Sequence, residues 1–442
     1  MSEEISPRKY RDKIFELIRL HHIFFDTALP LIASENVVSK AVKQALISDF
    51  GHRYAEGWPG ERVYAGCRYI DEVEEITIHL FKKLFSAEFV DVRPISGVTA
   101  NLAVYTAFTS PGDVMMCLSI AKGGHISMGK KEFGGTAGSV HGLEIEYFEY
   151  DIDEMNIDVD ATMKKMVKLE KENRVPKIVY FGGSVLLFEH PVKELADLFK
   201  SYGSIVGYDA AHVSGLIAGD VFQNPLKEGA DVVSMSTHKT FFGPQRGAIL
   251  SFEKYSESIK RAVFPGVVSN HHLHTLAGLA VASTEMLAFG KDYASEVVRT
   301  AKKLGEALSE RGFKVLGERK GFTQSHQLLI DVSEYGLGGD LEKLLERAGI
   351  IVNRNLLPYD PQRGLSFKNP GGIRLGVQEL VRLGINHNYM DVIADFFERV
   401  IIKKEEPEKV REDVKDFRRD FKYVKYCFED VDEAYRYIEL IK

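Results

Sequence analysis

Lys239 sits where an apolar run ends: Val232-Val233 leads into Ser236-Thr237-His238-Lys239-Thr240. An amine at the end of a buried strand is what a carbonyl cofactor needs to form a Schiff base. Some thirty residues earlier a second apolar run, Ile205-Val206, ends in Tyr208-Asp209-Ala210-Ala211-His212. A carboxylate and an imidazole can therefore reach the same sheet edge as the amine. Together they point to pyridoxal phosphate chemistry: the lysine carries the aldehyde, and Asp209 keeps the pyridine nitrogen protonated so that the ring works as an electron sink. Each residue alone also fits a solvated strand end, so the other motifs must carry weight.

Ser96-Gly97-Val98-Thr99 opens a helical pattern with Val98, Leu102, Tyr105 and Phe108 on one face. A helix N-terminus with small residues is a ready anion site for a cofactor phosphate, or merely a capped helix. His125, after Gly123-Gly124, could lie flat over a planar ring. Arg374 in Gly371-Gly372-Ile373-Arg374 could grip a substrate carboxylate bidentately, or stand in a surface ion pair. Leu31-Ile32-Ala33-Ser34-Glu35-Asn36 and Tyr54-Ala55-Glu56-Gly57-Trp58-Pro59-Gly60, with Arg62 and Tyr64 beyond, mix polar and aromatic groups between glycines as binding loops do. Glu56 would be the acid or base there.

These residues need a scaffold. With 442 residues, 45% hydrophobic and 27% charged, the chain can bury a large core in two or three units. A net charge of −7 argues against nucleic acid as the main partner. Met1 to Tyr10 is polar with no signal-like core, and no uninterrupted apolar run spans a bilayer, so no membrane partner is expected and a cytoplasmic location is. Cys67, Cys117 and Cys427 are too scattered for a disulfide framework or a thiolate site, and no metal is expected. Residues 8–26 carry Ile14, Leu17, Ile18, His21 and Phe25 at helical spacing, an arm helix whose apolar face needs a partner surface.

From about 90 to 252, β-branched runs at 114–116, 177–181, 205–206, 232–233 and 248–250 alternate with helical patterns, which predicts a mostly parallel sheet flanked by helices. One crossover is explicit: His190-Pro191 opens a helix with Val192, Leu195, Ala196, Leu198 and Phe199 inward, and Gly203 stops it. Beyond Leu273 the pattern predicts a helix to about 289, another over 293–311, strands near 313–316 and 328–330, and a helix at 340–348. That is a second, smaller α/β unit. The charged stretch 403–422 reads as a solvated helix or a loose extension. The expected division is an arm at 1–30, a large cofactor-binding unit at 31–285 and a small C-terminal unit at 286–442.

In this order and spacing, LIASEN at 31–36, YAEGWPGERVYAG at 54–66, YDAAHVSG at 208–215, STHKT at 236–240 and GIRLG at 372–376 resemble the serine hydroxymethyltransferases, over about residues 8 to 400. The resemblance implies an α/β pyridoxal phosphate enzyme of fold type I, aspartate aminotransferase-like. It implies that Lys239 holds the cofactor covalently, Asp209 faces the pyridine nitrogen, His125 stacks on the ring, His212 lies near the ring phenolate and Ser184 falls beside the ring. Ser96, Gly97 and Thr99 would hold the phosphate, with Ser236 and His238 nearby. Arg374 and Ser34 would bind the amino-acid carboxylate. Glu56 would handle the proton on the substrate hydroxyl and on the pterin, with Tyr54 and Tyr64 lining the site, all three supplied by the partner of a homodimer. Asn353 and Asn355 would contact the pterin.

The reaction so implied moves the serine hydroxymethyl carbon to a tetrahydropterin, leaving glycine. Glu56 must then be able to hold a proton, which an apolar pocket beside Trp58 would favour. The chain departs from the family at Val98, where relatives carry a phosphate-binding hydroxyl; at Gln245, where an arginine usually stands, with Arg246 next; and at Val267-Val268-Ser269-Asn270-His271-His272, which replaces a glycine-rich loop that reaches the partner's cofactor phosphate. Gly266, Ser269 and Asn270 are the candidates for that contact. The same departures resemble the archaeal branch, where tetrahydromethanopterin can stand in for tetrahydrofolate. The alternatives are a pterin-independent aldolase of 3-hydroxy amino acids of the threonine type, using the same lysine, aspartate and arginine, and a non-catalytic binding protein that keeps the fold.

Overall fold

The arm comes first: α1, Pro7–Asp26, is capped by Ser6, which accepts from the Lys9 N–H, and Pro7 enters it with φ already set. This computed structural model describes residues 6–429 and 433–440, so the polar start at 1–5 lies outside the described residues. No residue of α1 is buried, and Ile14, Leu17 and Ile23 are more than half exposed at 56%, 53% and 61%. Of the expected stripe, Ile14, Leu17, Ile18 and His21 face outward in a single chain, whereas Phe25 is half-buried beside Tyr435. Leu29–Pro30 then pairs in parallel with Ile350–Ile351, stitching the end of the arm to the C-terminal half.

The large sheet has seven strands: β1 (Phe89–Asp91), β2 (Val114–Cys117), β3 (Glu144–Tyr147), β4 (Ile178–Gly182), β5 (Ile205–Asp209), β6 (Val232–Ser236) and β7 (Gly247–Ser251), in the spatial order β1-β7-β6-β5-β4-β2-β3. Only β7 runs against its neighbours; the other adjacent pairs are parallel. Strands β4, β6 and β7 are buried from end to end. A sheet covered on both faces has no reason to alternate polar and apolar, which is why these strands read as unbroken apolar runs. Alternate residues feed two cores: Val179, Phe181, Val233 and Met235 enter one, and Ile178, Tyr180, Val232 and Ile249 enter the other.

Two helices carry the next step. Helix α2, Gly97–Phe108, follows β1, and α3, Val192–Ser201, makes the crossover from β4 to β5 with Val192, Leu195, Ala196 and Phe199 buried and Leu198 only partly so. Gly203, at φ 81°, turns the chain back into the sheet.

Helix α4, Leu273–Glu310, runs unbroken for 38 residues where the sequence pattern suggested two helices. The supposed break falls at Gly290, which is a packing site. A Cβ on Gly219 would lie 2.6 Å from the Gly290 carbonyl oxygen, so the two backbones touch there. By length and hydropathy α4 could cross a membrane, but half of its most apolar window is buried within the protein.

The smaller unit holds β8 (Lys314–Val315), β9 (Gln327–Asp331), β10 (Asn353–Asn355) and β11 (Gly372–Gly376), antiparallel in the order β8-β9-β11-β10. The charged tail forms the helix Pro407–Arg418, and it is not a loose extension: Val410, Val414 and Arg418 are buried, and the Arg418 guanidinium donates to the Ala28 carbonyl at 2.7 Å. One apolar residue per turn suffices to seat an otherwise charged helix. All three cysteines are free and buried.

Candidate active site

The C-terminal ends of β4, β5 and β6 lie side by side, with Gly182 opposite Asp209 and Asp209 opposite Ser234. Lys239 follows two residues beyond Thr237, at the crevice where ligands of such sheets bind. It is 8% exposed, and no hydrogen bond or ion pair engages its Nζ among the described residues. Burial pulls its amine down to about 8, with Asp209 opposing and Arg374 adding to the fall. A buried amine without a partner and close to neutrality is the nucleophile that a carbonyl group requires.

Beneath it runs a one-way chain of hydrogen bonds. Tyr180 Oη donates to Ser234 Oγ at 2.7 Å, and Ser234 Oγ donates to Asn101 Oδ1. The two N–H groups of Asn101 Nδ2 go to Asp209 Oδ2 at 2.9 Å and to Ser127 Oγ at 2.8 Å. Ser127 Oγ passes its own proton to His125 Nδ1 at 2.7 Å, which also accepts the Ser127 N–H at 3.1 Å. His125 Nδ1 is therefore an acceptor, and Nε2 carries the proton. Burial lowers the basicity of this ring, and Asp209 works against it. The Ala211 N–H donates to Asp209 Oδ1 at 2.9 Å, so both carboxylate oxygens are held.

Ser96 caps α2, accepting from the Thr99 N–H at 3.2 Å and lying 2.9 Å from Thr99 Oγ1. The Thr99 hydroxyl, next to Val98, is thus part of the cap. A Cβ on Gly97 would lie 2.3 Å from Ser236 Oγ, so only glycine lets the helix start meet the end of β6. His238 Nδ1 is buried with no hydrogen-bond partner among the described residues, and burial followed by the Lys239 charge holds the ring down near 4. A lone amine, a doubly held carboxylate, a helix N-terminus pressed against a serine and an orphaned imidazole nitrogen fit pyridoxal phosphate.

The small unit closes the crevice. Arg374 Nη1 donates to the Ser184 carbonyl at 2.8 Å and Nε to Asn353 Oδ1 at 3.2 Å, which leaves Nη2 with no hydrogen bond among the described residues. Burial brings this guanidinium down to about 10. Gln327 Nε2 also donates to the Ser184 carbonyl, at 2.9 Å, and reaches His212 Nδ1 at 2.9 Å. His212 stacks on His326 at 5.7 Å, and burial holds His212 well below an ordinary histidine. Ser34 sits on a segment pinned from two sides: Asn36 Nδ2 donates to the Lys239 carbonyl at 2.6 Å, and Gln378 Nε2 donates to the carbonyls of Ile32 and Glu35 at 2.7 and 2.6 Å. Asn355 lies two residues from Asn353 on β10, its amide donating to Leu356 O at 2.8 Å.

Glu56, Tyr54 and Tyr64 belong elsewhere. Tyr54 and Tyr64 are exposed and meet edge to face at 5.1 Å, beside the short hairpin Gly57–Trp58/Glu61–Arg62. Glu56 Oε1 accepts from the Ser269 hydroxyl. The apolar pocket expected at Trp58 is filled otherwise, because that ring stacks on Phe89 and lies under Arg93 and Lys260. Gly266 is exposed near Thr106, away from the Ser96 cap. Asn270 is occupied within its own chain, accepting from the Ala55 N–H at 2.9 Å and donating to Arg53 O at 3.3 Å. Nor can Arg246 replace the arginine missing at Gln245: it is fully buried, and its guanidinium is spent on Val92 O, His272 O, Thr275 and His271.

Sequence reasoning missed Asn101, Ser127, Tyr180, Ser234, Asn36 and Gln327. For Asn101 a signal existed: it is a polar residue four places after Gly97, on the same face of an otherwise apolar helix.

The family model for serine hydroxymethyltransferase matches residues 8–397. The chain belongs to the serine hydroxymethyltransferase family. The serine hydroxymethyltransferase of Korarchaeum cryptofilum (strain OPF8) is 59% identical over 440 residues, spanning 98% of this chain and 100% of the relative. That of Nitrosopumilus maritimus (strain SCM1) is 58% identical over 429 residues, spanning 97% and 98%. A crystal structure of L-threonine transaldolase from Pseudomonas fluorescens shares the fold at a TM-score of 0.85 and 30% identity, covering 95% of this chain and 94% of that one. Membership makes the chain a pyridoxal phosphate-dependent transferase of fold type I, acting in one-carbon exchange between serine and glycine.

Proposed function

We propose that the chain transfers the serine hydroxymethyl group to a tetrahydropterin, tetrahydrofolate or tetrahydromethanopterin, in a cytoplasmic homodimer whose two sites are each built from both copies. The observation that carries this reading is that Glu56 is bonded to Ser269 while no hydrogen bond or ion pair engages the Lys239 amine among the described residues, together with an arm helix that leaves Ile14, Leu17 and Ile23 exposed. A second copy would bring Glu56, Tyr54 and Tyr64 to Lys239 and cover α1. On this reading the units are the arm at 1–30, the cofactor unit at 31–285 and the small unit at 286–442, with α4 common to the last two.

Bound pyridoxal phosphate supplies a sink for the electron pair left on Cα when the Cα–Cβ bond of serine breaks. The chain does the rest. Lys239 would hold the cofactor, Asp209 would keep a proton on its ring nitrogen, and His125 would cover the ring. His212 and Ser184 would border the ring, and Ser96, Gly97, Thr99, Ser236 and His238 would hold the phosphate, with Gly266 of the second copy a further candidate. The free edge of Arg374, with Ser34, would take the substrate carboxylate. Glu56 of the second copy takes the proton from the serine hydroxyl as the carbon leaves, and returns it on the carrier side.

Family membership supports the pterin, and so does the bond between Asn353 and Arg374: a carrier reading Asn353 and Asn355 would lie next to the carboxylate site. The likeness to a threonine transaldolase keeps a second reading, pterin-independent cleavage of 3-hydroxy amino acids. The deciding assay is serine-to-glycine conversion by the cofactor-loaded protein with tetrahydrofolate and tetrahydromethanopterin in parallel. Stimulation by one names the carrier; 3-hydroxy amino acid cleavage indifferent to both favours the second reading.

A further inference from the structure

A two-residue hairpin such as Gly57–Trp58/Glu61–Arg62 does not hold its own shape in water. Glu56 at its mouth must nevertheless be aimed to within a fraction of an ångström to move a proton. Three consecutive residues of the atypical loop supply the restraint. The Ser269 hydroxyl donates to Glu56 Oε1. The Asn270 amide clips the preceding backbone, through the Ala55 N–H at 2.9 Å and the Arg53 carbonyl at 3.3 Å. His271 acts through a buried relay. Its Nδ1 accepts from Arg246, and its Nε2 faces Glu74 Oε2 at 3.3 Å, a contact that falls short of a hydrogen bond; Glu74 Oε2 takes Arg62 Nη2 at 2.5 Å. Arg62 Nη1 then donates to the carbonyls of Ala55 at 2.9 Å and Gly57 at 2.7 Å, on either side of Glu56.

The relay is internally consistent. Burial, with Arg246 beside it, holds His271 near 4, so the ring is neutral with its one proton on Nε2 facing Glu74. Burial pushes the Glu74 carboxyl up, yet His271 and Arg62 bring it down to about 2, so it stays ionised. Arg246 anchors the far end by donating to Val92 O at 2.6 Å, just past β1.

We propose that Ser269, Asn270 and His271 are positioning residues for Glu56, a loop-to-loop clamp standing where the family has a glycine-rich phosphate loop. The inference rests on reading Glu56 as the proton carrier, but the clamp can be measured without catalysis. The experiment compares the native holoenzyme with Ser269→Ala, Ser269→Thr and Asn270→Ala in three readouts: amide hydrogen exchange of residues 53–64, the visible absorbance of bound cofactor, and kcat, KM and the pH profile of serine cleavage. The clamp predicts exchange over 53–64 faster by about tenfold in Asn270→Ala, and full cofactor absorbance in every variant. For Ser269→Ala it predicts kcat down by about tenfold with serine KM little changed and a displaced pH profile, restored by Ser269→Thr. Unchanged exchange in Asn270→Ala, equal losses in Ser269→Ala and Ser269→Thr, or cofactor loss in place of a kcat effect would each overturn it, the last in favour of a phosphate contact. Should the native protein show no serine cleavage at all, the proposed function fails and the exchange data alone decide the clamp.

Discussion

Asn101 spends both N–H groups of its side chain in the site, one on Asp209 at 2.9 Å and one on Ser127 at 2.8 Å. The amide thereby fixes the direction of the carboxylate and, through Ser127, the tautomer of His125. Asn101→Ala would leave Asp209 Oδ2 without its partner, take from Ser127 Oγ the donor it accepts from, and take from Ser234 Oγ the acceptor of its proton. A loss of about 1–3 kcal/mol in stability is expected, with weaker cofactor retention on dialysis. Asn101→Asp should be worse for the cofactor, since it sets a second carboxylate against Asp209. Retention equal to native in both variants would refute the role.

Lys239 gives a sign that can be tested on cofactor-stripped protein. Its amine is held near 8 in the fold against an ordinary 10.5. Between those values the unfolded chain binds the extra proton, so stability should climb from pH 8 to about 10.5, and the full cost should stand below pH 8. The gap amounts to roughly 3 kcal/mol. Lys239→Met should therefore melt higher than native at pH 7, and the difference should close towards pH 10.5. The same variant should show no visible cofactor band when loaded. A Met variant less stable than native at pH 7 would contradict the reading of a penalised buried amine.

What could be read in advance were residues whose chemistry is local. Lys239 and Asp209 stand out because each follows a run of β-branched residues, and a strand's end is written in its own few neighbours. The chain Tyr180–Ser234–Asn101–Ser127 could not be read that way: its members come from two strands, a helix and a short 3-10 turn, and each looks like an ordinary core polar residue. Gly290 misled in the other direction, since a helix-breaking residue was serving the close approach of Gly219. Arg246 and His271 could be flagged as departures, but their surroundings could not: Arg246 donates to His271, and His271 faces Glu74, nearly two hundred residues away in the chain.

Arg374 is tied by two of its nitrogens, to Ser184 O at 2.8 Å and Asn353 Oδ1 at 3.2 Å. A lysine cannot span both partners and still present a planar edge. Arg374→Lys should raise the serine KM by roughly ten- to a hundredfold while the visible band of bound cofactor persists. An unchanged KM would remove Arg374 from the carboxylate site.

Glu379 offers a pH effect away from the chemistry. Burial pushes its carboxyl up to about 7, although Tyr435 Oη donates to it at 2.5 Å and pulls the other way. Between the ordinary 4.5 and about 7 the folded protein holds a proton that the unfolded chain releases. Stability from this group should thus fall as pH rises through that window, by roughly 3 kcal/mol in all. Glu379→Gln keeps an acceptor for Tyr435 without the charge. It should match native at pH 4.5 and melt several degrees higher at pH 8, and parallel Tm curves for the two proteins would rule the effect out.

Sharing of sites between copies can be tested by mixing two dead proteins. Lys239→Ala lacks the amine, and Glu56→Gln lacks the carboxylate; each homodimer should be inactive. If Glu56 serves the neighbour's Lys239, a mixed dimer holds one site with both changes and one with neither. Random reassortment makes half of the dimers mixed, each with half its sites intact, so roughly a quarter of native activity should return on mixing, unfolding and refolding together. If each chain instead used its own Glu56, every site in every dimer would carry one lesion and nothing would return. The arm sharpens the test: α1 exposes Ile14, Leu17 and Ile23 to solvent in a single chain, so deleting residues 1–26 should weaken the dimer and lower the recovered activity with it.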